Sequence, residues 1–411
     1  MKDIHCVVIG ASHAGVSLAM QLRKEAWEGN ISLIGAEKEL PYHRPPLSKE
    51  HLAGEKLLDA MRLRPEKMFA DNNIDLELGV TALQVHKAAQ TVSLSNGQEV
   101  SYDKLAICTG SKVNTIPLGA SLENVFYVRT AADVSQITPL LEPKKHAVII
   151  GAGYIGLETA AVLNKLGLTV TVIELTDRIL QRVTSEHMSA YIQALHEQAG
   201  VSILTGTAVE SIEGKEKVEK VVCQDGTSLP ADVVIIGVGV SPNTGIAEAA
   251  GLEVDRGIVV NEYAQTSDEH IYSAGDCTLH PSTVYERLIR LESVQNANDQ
   301  ARCAAANIAG KQQVYDAVPW FWSDQYHIKL QMVGLSQGAE EIVVRGEPSL
   351  DNESGFALFY LKDGIVIAAD CVGRPKEFMA GKKLVKNRLA VSASMLSDES
   401  LDPVKLATSA S

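Results

Sequence analysis

Val7-Val8-Ile9-Gly10-Ala11-Ser12-His13-Ala14-Gly15 decides the fold, and it has a near twin 141 residues further on, Val148-Ile149-Ile150-Gly151-Ala152-Gly153-Tyr154-Ile155-Gly156. Each stretch opens on β-branched apolar residues, turns through glycine and continues into an Ala/Leu-rich run of helical character. A strand that feeds a helix through a glycine turn points the helix's first N–H groups at an anion, which is how a dinucleotide pyrophosphate is held. Two such turns predict two dinucleotide sites, and electrons that pass from one dinucleotide to the other.

The first turn lies in a βαβ unit formed by residues 4–9, 15–24 and 31–34, and the second strand ends near Glu37. Glu37 falls 22 residues after Gly15, where a carboxylate accepts hydrogen bonds from a ribose diol. Ser12 replaces the middle glycine of the fingerprint and offers a hydroxyl in its place. The second unit takes residues 147–150, 156–165 and 169–173, keeps all three glycines and ends at Glu174, 18 residues after Gly156. A carboxylate there accepts from a 2′-hydroxyl and repels a 2′-phosphate, so the second site is expected to prefer NADH to NADPH, although Arg178 and Arg182 nearby favour a phosphate. Other short apolar stretches follow the same plan: residues 104–111 hold a strand closed by Thr109-Gly110, residues 233–239 one closed by Gly237-Val238-Gly239, and residues 266–276 one that ends in Gly275-Asp276.

At 411 residues the chain predicts two or three domains. Its net charge of −14 argues against general binding to nucleic acid or anionic membrane, and no apolar run reaches the roughly 18 to 20 residues needed to span a bilayer. A first strand starting within a few residues of Met1 leaves no room for a secretory leader, so the expectation is cytoplasmic. The six cysteines, Cys6, Cys108, Cys223, Cys277, Cys303 and Cys371, come no closer than 26 residues. That spacing excludes the closely spaced redox pair of a disulfide reductase, offers no metal-ligand motif and predicts buried structural thiols.

These pieces in this order resemble the pyridine nucleotide-disulfide oxidoreductase superfamily over essentially the whole chain. Within it the chain resembles FAD-dependent ferredoxin reductases of the putidaredoxin reductase type, on the strength of Pro45-Pro46-Leu47-Ser48-Lys49, Gly153-Tyr154-Ile155-Gly156-Leu157-Glu158, Arg290-Leu291-Glu292-Ser293-Val294-Gln295-Asn296-Ala297 and Trp320-Phe321-Trp322-Ser323-Asp324-Gln325-Tyr326. The resemblance implies an α/β fold with two Rossmann-like dinucleotide-binding domains and a small α+β interface domain. An FAD domain would take residues 1–112 and 243–318, an NAD domain 113–242 and the interface domain 319–411, where residues 355–360 and 365–369 read as a strand pair joined by Lys362-Asp363-Gly364.

The same resemblance implies the site. Gly10, Ser12, His13, Ala14 and Gly15 would hold the FAD pyrophosphate, Glu37 the adenosine ribose and Asp276 the ribityl chain, with Thr109, Gly110, Arg44, Lys49, Arg129, Val294 and Trp322 completing the FAD set. Gly151, Gly153, Tyr154, Ile155, Gly156, Glu158, Glu174, Arg182 and Gly239 would bind NADH. Lys49, Glu158 and Trp322 are the residues expected to carry the chemistry, with Lys49 and Glu158 pairing when the nicotinamide site is empty and Trp322 lying on the electron exit. The expected reaction is hydride transfer from NADH to FAD, then single-electron delivery to a 2Fe-2S ferredoxin that serves a bacterial monooxygenase or dioxygenase. Between Cys371 and Arg388 six basic residues meet one acid, so Lys382, Lys383 and Lys386, with Arg302, are expected to form a basic dock for an acidic ferredoxin. A monomer or weak dimer is expected, without metal, nucleic acid or membrane. A rubredoxin reductase and an NADH-binding redox-signalling flavoprotein are the rival readings, whereas an NADH oxidase or peroxidase would need a redox cysteine that residues 41–49 lack.

Overall fold

In the computed structural model, which describes residues 4–409, the strand His5–Ile9 lies at the centre of a five-stranded parallel sheet. The order is Ile271–Ser273, Lys104–Ile107, His5–Ile9, Asn30–Gly35, Asp75–Leu78, and every pairing is parallel. Because successive side chains point to opposite faces, Cys6 and Val8 enter one core with Ile31, Leu33 and Ala106, while Val7 and Ile9 enter another with Ile34, Leu105 and Ile107. Both faces are therefore covered, as continuous apolar strands require. The first core is closed by the helices His13–Lys24 and Val294–Ile308, and Ala301, Ala304 and Ala305 of the latter are small enough for close packing. The second is closed by the small antiparallel sheet Ala82–His86, Thr91–Leu94, Glu99–Ser101 and by Ala247, Ala250 and Leu252.

A second five-stranded parallel sheet repeats the plan in the order Ser202–Leu204, Thr169–Ile173, His146–Ile150, Val233–Ile236, Val125–Phe126. Its core joins Val148, Ile150, Ile173, Val234 and Ile236 to Ile212, Val218, Val221 and Cys223 of an antiparallel hairpin. The C-terminal part is a five-stranded antiparallel sheet, Trp320–Gln325, Ile328–Gly334, Ile365–Val372, Phe356–Lys362, Glu341–Arg345. The hairpin expected near Lys362 is present, and its two turn residues, Asp363 and Gly364, take φ of 51° and 72°, the left-handed pair that suits a tight hairpin. Simple alternation is lost in Phe356–Lys362, where six consecutive residues are buried, because this sheet is covered on both sides over its middle strands. On one side the helix Pro375–Lys386 approaches closely: a Cβ on Gly381 would lie 2.9 Å from Val333 and 3.1 Å from Ala369.

The chain forms two compact units, one of residues 1–43, 58–112 and 241–319 and the other of residues 44–57, 113–240 and 320–411. The stretch 44–57, with Arg44 and Lys49, thus goes with the second unit, and the outermost residues of the expected domain ranges lie outside the described residues. No helix among the described residues is long and apolar enough to cross a membrane.

Candidate dinucleotide sites

Both glycine turns close in the same way. Gly10 and Gly151 take φ of 108° and 105°, and Cβ atoms on them would fall 2.1 Å from the Cys108 carbonyl oxygen and 2.4 Å from that of Gly237. Only glycine satisfies both the sign of φ and the contact. The third glycines let helix and turn touch, since a Cβ on Gly15 or Gly156 would lie 1.8 or 2.1 Å from the carbonyl oxygen of Gly10 or Gly151. The middle position is different: a Cβ on Gly153 meets nothing within 4 Å. Ser12 fills that position in the first turn with an extended backbone, φ −113° and ψ −157°, so the substitution strains nothing. Neither Ser12 nor Gly153 caps its helix through a side chain, and the positive helix starts therefore face the open side of each turn. Turns whose space is closed by protein at two positions and open at the middle one fit a pyrophosphate, which answers what the two fingerprints imply.

Around the first turn, the Tyr42 hydroxyl donates to the Glu37 carboxylate at the strand end. Ser111 donates to Asp276 at 3.0 Å. Thr109 and Gly110 are fixed by a residue the sequence reading missed, Asn243: its amide nitrogen donates to the Thr109 carbonyl (2.9 Å), its backbone N–H to the Gly110 carbonyl (2.8 Å), and its own carbonyl accepts from the Thr109 hydroxyl (2.7 Å). Val294 begins its helix, where Ser293 caps the N–H of Asn296. On that helix the Gln300 oxygen accepts from Gly275 N–H and the Thr278 hydroxyl, while its amide nitrogen is buried without a partner, as is that of Asn296. Gln300 thereby ties its helix to the Gly275-Asp276 turn.

In the second unit, Glu174 accepts from Ala152 N–H (2.7 Å) and from the N–H and hydroxyl of Thr176 (2.9 and 2.8 Å), so it braces the glycine turn as well as ending the strand. A carboxylate retains acceptor capacity for a ribose beyond these bonds. Arg178 is spent on Ser189 and the Gln181 carbonyl, whereas exposed Arg182 lies beside Gly239, its nitrogen 3.6 Å from where a Cβ would stand. Tyr154 packs edge-on against Phe321 and donates to the Met332 sulfur at 2.8 Å; its burial pushes the phenol well above its ordinary pKa. Ile155 is exposed.

Glu158 is held by three side chains. Only 3% exposed, it pairs with Lys49 at 2.7 Å and accepts from the hydroxyls of Ser48 and Ser323, each at 2.7 Å. Lys49 is itself only 13% exposed, a paired cation rather than a solvated one. Arg44 donates to the Arg129 carbonyl at 2.8 Å, and Arg129 N–H is taken by Asp133 of the capping box at Thr130, which brings these two expected residues together. Trp322 is half-buried, with its ring 5.8 Å from that of Trp320.

The expected dock is thinned by pairing. Lys382 lies over the rings of Trp320 and Phe378, 4.2 and 4.5 Å from their centroids; Arg302 pairs with Asp299; Arg374 bridges Glu377 and Glu399. Lys376, Met379, Lys383 and Lys386 remain exposed at spacings that place them on one helix face. All six thiols are free and buried, and burial raises those of Cys6 and Cys303 to about 12, which makes them inert.

Two parallel sheets, each ending in a glycine turn shaped for a pyrophosphate, and an antiparallel C-terminal sheet define a two-dinucleotide oxidoreductase. The chain belongs to the pyridine nucleotide-disulphide oxidoreductase family, whose model matches residues 4–301, and a model described as reductase C-terminal matches residues 320–407. It is 44% identical over 406 residues to putidaredoxin reductase of Pseudomonas putida, covering 97% of this chain and 95% of that one. It is 42% identical over 414 residues to the 5,5′-dehydrodivanillate O-demethylase ferredoxin reductase subunit of a Sphingobium strain, with both chains fully covered. The crystal structure of a covalent putidaredoxin reductase-putidaredoxin complex superposes with a TM-score of 0.96 at 43% identity, covering 99% of each chain.

Proposed function

We propose that this FAD-dependent ferredoxin reductase takes electrons from NADH and delivers them singly to a 2Fe-2S ferredoxin that feeds a bacterial monooxygenase or dioxygenase. The observation that carries the reading is the full-length match, through both glycine turns and the C-terminal sheet, to a putidaredoxin reductase and to the ferredoxin reductase subunit of an O-demethylase. When bound, NADH and FAD would supply the redox chemistry: hydride transfer from nicotinamide to flavin, after which the two electrons depart one at a time and the proton is released to solvent.

The chain's own residues bind, orient and steer. In our assignment Gly10, Ser12, His13, Ala14 and Gly15 hold the FAD pyrophosphate, Glu37 its ribose, and Asp276, braced by Ser111, its ribityl chain. Thr109-Gly110 and Val294 line the same cofactor, and Arg44, Lys49 and Arg129 supply positive charge to it. The second turn holds NADH through Gly151, Gly153, Tyr154, Ile155 and Gly156, with Glu174 on the ribose and Arg182 and Gly239 alongside. A carboxylate at the strand end supports NADH over NADPH, and the engagement of Arg178 elsewhere removes one competing cation. Glu158, paired with Lys49 while the nicotinamide site is empty, orients the nicotinamide when it binds, and Trp322 lies on the exit route for electrons.

The ranges 1–112 with 243–318, 113–242 and 319–411 serve in this reading as FAD, NAD and interface domains. Lys383 and Lys386, with Lys376 and the ring-stacked Lys382, form the basic helix face that steers an acidic ferredoxin, and Arg302 is assigned to the same task. We place the protein in the cytoplasm as a monomer or weak dimer. Anaerobic assays with NADH and a panel of 2Fe-2S ferredoxins and rubredoxins test the assignment. Selective reduction of a ferredoxin is the expected result, and reduction of rubredoxin alone, or of no acceptor, overturns it.

A further inference from the structure

The Glu158 carboxylate has a supporting chain behind it. Its Oε2 takes Ser48 and Lys49, and its Oε1 takes the Ser323 hydroxyl. Ser323 Oγ in turn lies 3.1 Å from Gln325 Nε2, and Gln325 Oε1 lies 2.8 Å from His196 Nε2. Glu158, Ser323, Gln325 and His196 are all buried, so water cannot rearrange these bonds.

One assignment of protons satisfies the chain. An ionised carboxylate only accepts, so Ser323 must spend its single proton on Glu158 and can only accept from Gln325. The Gln325 amide nitrogen then faces Ser323 and its oxygen faces His196, which must carry its proton on Nε2. That leaves His196 Nδ1 bare, and this atom is indeed buried without a partner; burial lowers the pKa of the ring, as its neutral form requires. Alternation along Trp320–Gln325 puts Ser323 and Gln325 on the buried side of the strand and Trp322 on the other. Glu side chains have a broad terminal torsion, so the carboxylate is held in one orientation only by what it bonds.

We propose that Ser323 is a positioning residue for flavin reduction by NADH, its hydroxyl aimed at Glu158 Oε1 by Gln325 and His196 so that Oε2 stays with Ser48 and Lys49. The role rests on the reading that Glu158 acts in the nicotinamide step. Ser323→Ala leaves one carboxylate oxygen without its charge-assisted bond and frees the group to rotate, which slows NADH-driven flavin reduction about tenfold. Reoxidation of the dithionite-reduced enzyme by ferredoxin, which bypasses NADH, stays within about twofold of wild type. Ser323→Thr keeps the hydroxyl and restores most of the rate. Gln325→Met, which removes both the donor to Ser323 and the acceptor for His196 while leaving the Ser323 hydroxyl in place, gives a smaller slowing. Added to Glu158→Ala, the Ser323→Ala change has no further effect on flavin reduction.

Wild-type flavin reduction in Ser323→Ala, with Glu158→Ala slow, overturns the positioning role alone. Equal slowing of both half-reactions overturns it in favour of a merely structural serine. Wild-type flavin reduction in Glu158→Ala overturns the reading of Glu158 and the role of Ser323 with it.

Discussion

Gly153→Ala separates the glycine that serves the ligand from those that serve the fold. A Cβ at Gly153 meets no protein atom within 4 Å, and the residue's φ of −79° suits any L-residue. The structural cost is then that of exchanging glycine for alanine at a helix N-cap, below about 1 kcal/mol. The added methyl stands where the NADH pyrophosphate approaches the backbone, and we expect the NADH KM to rise about tenfold or more, equivalent to about 1.4 kcal/mol of binding. Gly151→Ala is the contrast: its Cβ would lie 2.4 Å from the Gly237 oxygen at a φ of 105°, two faults on rigid backbone that together cost about 3 kcal/mol or more. Thermal unfolding followed by circular dichroism, alongside NADH:ferricyanide kinetics, reads both effects. A Gly153→Ala protein that loses stability like Gly151→Ala, or that keeps its NADH KM, refutes the division.

Four further outcomes are expected. Asp370 is buried beneath the hydroxyls of Thr184 and Tyr360, and burial raises its carboxyl to about 6; because the fold binds its proton more tightly than the unfolded chain, stability contributed below about pH 4 is lost as pH rises to 6. Asp370→Asn is therefore more stable than wild type by about 3 kcal/mol at pH 8 and equal to it near pH 4 in denaturant titrations, a difference from which the opposite slope of His280, lowered by burial to about 4, drops out. Arg345, 2% exposed, donates to Glu377 and to the carbonyls of Leu396, Asp398 and Leu401, so Arg345→Met costs about 3 to 5 kcal/mol and speeds amide exchange across residues 396–401. Lys383→Glu with Lys386→Glu lowers ferredoxin turnover and its salt dependence while ferricyanide turnover stays put. Trp322→Ala slows ferredoxin reduction more than flavin reduction in rapid mixing, and equal slowing of both steps removes it from the exit route.

What the sequence disclosed was local. A glycine turn is written in nine consecutive residues, so both turns, their flanking strands and the Asp363-Gly364 hairpin were legible, and the isolated cysteines already implied inert thiols. The residues it withheld are those brought together by the fold. Ser48 and Ser323 lie 110 and 165 residues from the carboxylate they bond, and nothing in either neighbourhood marks a serine as its partner. Asn243, 134 residues from Thr109, was equally silent. Charge counting also overstated the dock, because sequence shows that Arg374 and Lys382 are basic but not that one is paired with acids and the other laid over aromatic rings. Likewise Arg178 and Arg182 looked equivalent until Ser189 claimed the first.

The claim that electrons run from NADH through flavin to a one-electron iron-sulfur acceptor, with no thiol on the way, is tested most directly by anaerobic titration of enzyme and excess 2Fe-2S ferredoxin with NADH, flavin and iron-sulfur absorbance being followed separately. The account predicts about two equivalents of ferredoxin reduced per NADH, unchanged when accessible thiols are first alkylated. Flavin that bleaches while the ferredoxin stays oxidised, or a yield abolished by alkylation, contradicts it.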